Sequence, residues 1–202
     1  MRDYTLDEFN KNLERALSLV GVYELSRAGV RGRRSVSASD VLRAATVFLH
    51  SALEEVIRNL FRWKLPNGSE KYLDEIPLLG ANPAHRPAHF LLGKLAPHRG
   101  RFVDNVILDS IEAYVDHMNI NNTTELCHCL EMISIRPGSF SKYYGALEKM
   151  MARRHQIVHQ MDRNEAGGAG QHRAQSISVQ QVKGWAYNLK AFVLAVVADV
   201  PD

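Results

Sequence analysis

The chain has 202 residues, 46% of them hydrophobic and 23% charged, with a formal net charge of +3, which suits an ordinary globular fold with one buried core. No apolar run approaches the roughly 20 residues that span a bilayer, and the opening MRDYTLDEF has acids but no apolar signal core, so the expected setting is cytoplasmic and free of membrane. A pI near 8.9 permits an anionic partner but falls short of the dense basic stripe of a dedicated duplex binder.

Thr5 followed by Glu8 reads as a capping box, and Leu6, Phe9, Leu13, Leu17 and Val20 recur at helical spacing, predicting a first helix to about Ser26. Gly29 and Gly32 interrupt the pattern, and Ser37 with Asp40 restart it. Leu42, Ala45, Leu49, Leu53, Val56 and Leu60 then mark a long amphipathic helix ending near Trp63. Residues 66–97 hold five prolines and three glycines, which predicts a long connection with at most a short helix near Glu70–Glu75.

Periodicity returns from about Arg101 through Phe102, Val106, Ile107, Ile111 and Val115. Asn119–Asn122 supply a turn, and a short helix is expected over Thr124–Ile133. Ser139, after Pro137 and Gly138, is placed to cap a helix bearing Tyr143, Leu147, Met150, Met151, Ile157, Val158 and Met161. Residues 164–176 contain Gly167, Gly168 and Gly170 and read as a linker. Ser178 with Gln181 then caps a last helix through Trp185, Leu189, Phe192, Val193 and Val196. With no alternating strand pattern, residues 1–202 predict a single all-α antiparallel bundle with one inserted connection.

Cations gather in three clusters: Arg27, Arg31, Arg33 and Arg34; His98, Arg99 and Arg101; and Arg153, Arg154 and Arg163. The third sits on or beside the penultimate helix, in MMARRHQIVHQMDR. At about 100° per residue, Leu147, Met151, Val158 and Met161 make an apolar stripe. Arg154 projects from within it, while His155 and His159, four apart, share one edge. An unpaired guanidinium is costly to bury, so Arg154 must meet a carboxylate, a ligand phosphate or a solvated cleft at a subunit boundary. Pairing with Glu54 or Glu55 would make it a tie between helices. A cleft would make it a binding group.

The stretch RRHQIVHQMDR resembles the signature of the HEPN superfamily: an Arg, a polar residue directly after it, and a His four to six residues beyond the Arg. Arg154, His155 and His159 occupy those positions; Arg153 also fits the spacing but reads as lying on the opposite side of the stripe. Ile157, Val158 and Asp162 extend the match. LLGKLAPHRGRFVDNVILDSIEAYV with the following NINN, and ATVFLHSALEEVIRNL, are similar to the RiboL-PSP branch, so the likeness covers most of residues 38–165.

This resemblance implies a HEPN-like helical bundle that forms a homodimer, with two motif copies facing one cleft where RNA is cut without metal or cofactor. Many members act as toxins or defence effectors, which implies an antitoxin or other partner protein. The implied roles are His159 as general acid or base, Arg154 as the cation on the phosphorane and His155 as a polar assistant. Arg153 and Arg163 are expected substrate-binding cations. Imidazole and guanidinium suit proton transfer at the 2′-hydroxyl and charge stabilisation at phosphorus.

Two competing readings stand beside it. His155 and His159 have the i, i+4 spacing of helical zinc ligands, but Gln156 replaces the basic Glu of the zinc-hydrolase pattern, and Cys127-His128-Cys129 lacks a two-residue spacer. A disulfide between Cys127 and Cys129 is not expected either, because i and i+2 side chains diverge on a helix. The other reading is a catalytically weak or inactive HEPN dimer that serves as an RNA-binding or protein-interaction scaffold.

Overall fold

The computed structural model of the chain describes residues 1–28, 36–79, 92–162 and 174–201. Seven α-helices occur among them: α1 (Arg2–Arg27), α2 (Val36–Lys64), α3 (Glu70–Leu73), α4 (Val103–His117), α5 (Thr123–Met132), α6 (Ser141–Gln160) and α7 (Val179–Asp199). Short 3-10 turns cover Leu65–Asn67, Leu92–His98 and Pro137–Phe140, and the described residues include no β-strand. None of the described helices is long and apolar enough to cross a membrane.

The contacts form two compact units: Met1–Val56 with Ile120–Asp202, and Ile57–Asn119. The long α2 supplies residues to both. In the first unit α7 packs along α1 and α6, burying Val182, Trp185, Ala186, Leu189, Phe192, Val193, Val196 and Val197. These residues recur at three- and four-residue intervals, so one continuous apolar face results. Phe192 is fully buried and meets the rings of Phe140, Tyr143 and Tyr144 edge-on at centroid distances of 6.0, 5.9 and 6.5 Å. Along α1, Lys183 pairs with Glu24 at 2.7 Å, and Arg2 donates to the carbonyl of Val200.

A buried polar pin holds the chain before α5. Glu54 Oε1 accepts from Ile120 N–H at 3.1 Å, and His50 Nε2 lies 2.8 Å from the Ile120 carbonyl oxygen, so both backbone polar groups of Ile120 are held by α2. In the second unit, α4 packs on the Leu65–Asn67 turn and buries Val106, Ser110, Ile111 and Val115. Arg62 Nε donates to Glu112 at 2.9 Å, and Ser110 Oγ accepts from Leu79 N–H at 3.0 Å.

The helices match the periodicity more closely than they match the caps. Thr5 is not the cap of α1: the helix starts at Arg2, and Thr5 is fully buried in the stripe Thr5, Phe9, Leu13, Ala16, Val20, Tyr23. Leu17 is 36% exposed because Ala16 takes the buried position beside it. Ser139 does not cap α6, since Pro137–Phe140 form a 3-10 turn and Phe140 stands at the helix boundary without a side-chain bond. Phe102 is outside the α4 stripe and highly exposed. The expected cap at Ser178 is formed, accepting from Gln181 N–H at 3.2 Å, and Asn122, expected only as part of a turn, caps α5 by accepting from Glu125 N–H at 2.9 Å. Cys127 and Cys129 are both free thiols. Most of the glycine linker, part of the 66–97 connection, and Arg31, Arg33, Arg34 and Arg163 lie outside the described residues.

Candidate active site

The C-terminal half of α6 carries the candidate residues, and its buried face rotates along the helix. Leu147, Met150 and Met151 are in the core. Beyond Met151 the expected stripe does not continue through Val158 and Met161, which are 46% and 78% exposed. Arg153, expected on the opposite side, is instead buried at 5% exposure. Arg154 and Ile157 are half-buried, and His155 and His159 face solvent. Because neighbours on a helix differ by about 100°, the two arginines serve different environments.

Arg153 belongs to a buried ion cluster that ties α6 to α2. Asp162 Oδ2 accepts from Arg153 Nη2 at 2.8 Å and from Arg43 Nε at 2.5 Å. Arg153 Nη2 also reaches the carbonyls of Gln175 and Ser176, at 2.9 and 3.2 Å, and Arg43 Nη2 reaches that of Gln175 at 2.8 Å. Asp40 takes a further Arg43 N–H at 3.0 Å. Burial pulls the Arg153 guanidinium below its ordinary value, opposed by the attraction of Asp162 and reinforced by Arg43. Asp40 at the rim balances the second guanidinium, and the carbonyl oxygens of Gln175 and Ser176 accept further N–H groups of the two arginines. The substrate contact expected of Arg153 therefore gains no support from its placement.

The chain leaves α6 by an unusual turn. Met161 and Asp162 both have positive φ, 51° and 54°, a conformation that costs a non-glycine residue about 1–3 kcal/mol unless its surroundings impose it. Here they do. Asp162 N–H donates to Gln156 O at 3.0 Å, closing the helix end, and Asp162 O accepts from Gln175 N–H at 2.8 Å. With its side chain between the two arginines, Asp162 is fixed at both backbone and carboxylate.

Arg154 is placed otherwise. Among the described residues no carboxylate pairs with it, and its buried Nε has no hydrogen-bond partner. The expected alternative, a tie to Glu54 or Glu55, is not formed: Glu54 grips the Ile120 peptide, and Arg153 ties the helices instead. Beside Arg154, the His155 and His159 rings lie 4.7 Å apart at 46° on the exposed edge. Along the last turns of α6, half-buried Arg154 is thus followed by the exposed His155–His159 pair. This segment lies at the helix C-terminus, where the dipole disfavours an anion, so attraction to phosphate must come from side-chain cations.

Other candidate groups are committed elsewhere. Arg101 pairs with Asp109 at 2.6 Å, and His98 bonds to the Leu79 carbonyl at 3.1 Å. Burial pushes the Cys129 thiol up to about 12. Among the described residues no three His, Cys, Asp or Glu side chains converge as a metal site.

The roles of Arg43 and Asp162 are not apparent from periodicity. The available signal is an acid two residues beyond the helix, in line with an arginine on the face shared by Met150 and Ile157. The chain matches no family model, no curated protein and no solved structure.

Proposed function

We propose that the chain is a metal-independent endoribonuclease of HEPN type that cuts single-stranded RNA as a homodimer. The observation that carries this reading is a half-buried Arg154, with no carboxylate partner among the described residues, directly before the exposed pair His155 and His159, whose rings lie 4.7 Å apart at 46°. A guanidinium without a carboxylate is suited to an anionic ligand, and adjacent imidazoles are suited to moving protons around it. The RNA 2′-oxygen attacks the neighbouring phosphorus while His159 accepts or donates a proton. The bond from phosphorus to the 5′-oxygen breaks, that oxygen gains a proton, and a 2′,3′-cyclic phosphate remains. Arg154 stabilises the charge on the phosphorane, and His155 orients the substrate or the neighbouring ring. Arg163 is a further substrate-binding cation.

Exposed Val158 and Met161 flank the two histidines. Apolar side chains bordering an incompletely enclosed arginine suit contact with a second copy, which would bring two motif sets to one cleft. In the test, single-stranded RNA is incubated with the protein in excess chelator. Cleavage should persist, yield cyclic phosphate and 5′-hydroxyl ends, and fail on 2′-O-methylated RNA. RNA binding without cleavage would favour the scaffold reading, and loss of cleavage in chelator would remove the metal-independent mechanism.

A further inference from the structure

We infer that Asp162, gripped by Arg43 and Arg153, is a positioning residue that fixes how His159 and Arg154 are presented at the end of α6. The inference rests on the nuclease reading for its kinetic consequence, but its structural consequence is independent of that reading. His159 lies three residues before Asp162, in the last turn of α6. That turn is closed by Asp162 N–H donating to Gln156 O at 3.0 Å, directly across the segment holding both Ile157 and His159. The residue closing it has positive φ, as does Met161 before it. Left to local preference, this pair of conformations would give way and the last turn would fray, because Met disfavours the left-handed region and Asp, although it tolerates that region, seldom follows a second left-handed residue.

What opposes fraying lies away from the helix. The Asp162 carboxylate, 1% exposed, takes Arg43 from α2 and Arg153 from the preceding turn on the same oxygen. Arg43 and Arg153 also share the Gln175 carbonyl, and the Gln175 amide returns to Asp162 O. The last turn of α6 is thereby cross-linked to α2 and to the strand of chain entering α7. A buried ion cluster is weak evidence for added stability, because desolvation offsets much of its attraction. It is better suited to holding one geometry, as groups behind a reactive residue do when they lock its orientation. The His155 and His159 rings are exposed, with little packing to do this, so their geometry depends on the turn beneath them.

The test uses Asp162→Asn in the full-length protein, with two readouts. Hydrogen exchange and NMR report the Asp162 amide and the contact between the His155 and His159 rings, and steady-state kinetics on single-stranded RNA reports kcat and KM separately. Asp162→Asn is expected to lose at least tenfold of the exchange protection at its own amide, weaken the ring contact, and lower kcat about tenfold or more with KM within about twofold. Should the variant fail to fold, Arg43→Gln replaces it. That change is on α2, keeps the Arg153–Asp162 pair and is expected to move the same readouts in the same direction by a smaller factor, with Arg43→Lys restoring them in part. Unchanged protection and ring contact in the folded variant would overturn the inference, as would a fall in kcat without any change at the turn. If the parent cleaves no RNA, the nuclease reading fails by itself, and the exchange and ring-contact measurements still decide whether Asp162 positions His159.

Discussion

Met161 and Asp162 follow the turn that carries His159 and both adopt left-handed φ. Met161 is 78% exposed, so within one protomer its side chain contributes little packing, and its backbone strain is tested at a protein concentration where light scattering shows the protomer alone. Met161→Gly should leave stability unchanged or raise it by up to about 1 kcal/mol, since glycine takes this conformation without the Cβ penalty. Met161→Val should lower it by about 1 kcal/mol or more, because a β-branched residue fits the left-handed region worst. Urea unfolding with an unchanged slope is the measurement. A reversed order would mean that the turn is not held as described.

The two cysteines give a second residue-scale prediction. Burial raises the Cys129 thiol to about 12, so its folded state favours the protonated form. That contribution to stability is complete below the ordinary thiol value and declines as pH rises from there toward about 12. In the folded protein at mildly alkaline pH, an alkylating reagent should modify the partly exposed Cys127 and spare Cys129. Mass spectrometry of the modified peptides distinguishes them, and equal labelling under native conditions would contradict the burial argument.

At the scale of elements, α7 is the helix on which α1 and α6 meet in the first unit. Phe192 lies at its centre, fully buried and in edge-on contact with three aromatic rings. Phe192→Ala should cost about 3–5 kcal/mol through lost burial and the cavity left behind. A cost under about 1 kcal/mol would mean that α7 does not organise this core. The buried stripes of α2 and α7 were legible in the sequence because Leu42, Leu49, Leu53, Val56 and Leu60, and likewise Leu189, Phe192, Val193 and Val196, repeat at helical intervals. Caps were legible where the side chain answers a local need, as at Ser178, while Asn122 was read only as part of a turn. They failed at Thr5 and Ser139, where the surrounding chain continued the helix past one and inserted a 3-10 turn before the other.

The site was legible in composition and only partly in geometry. The sequence placed Arg154, His155 and His159 together on α6, and the two histidine rings lie 4.7 Å apart there. It misplaced Arg153 because a helical projection assumes one fixed buried sector, whereas the core-facing sector of α6 turns as the chain folds back through Asp162. The ion cluster depends on Arg43, distant in sequence, and on two left-handed residues. Neither has a periodic signature.

For the whole molecule, the account requires assembly as well as a fold. Exposed Val158 and Met161 beside the histidines predict a symmetric dimer, which light scattering at micromolar concentration should detect without RNA; a monomer would count against a preformed shared cleft. The most direct test is the rate of single-stranded RNA cleavage by His159→Ala against the parent, in chelator, after circular dichroism and light scattering show the variant folded and assembled as the parent is. His159 is exposed, so its removal should spare the fold, and losing one positioned proton-transfer group should slow cleavage about a hundredfold or more. A folded variant that cleaves as fast as the parent would contradict the assignment of this edge of α6 as the catalytic site.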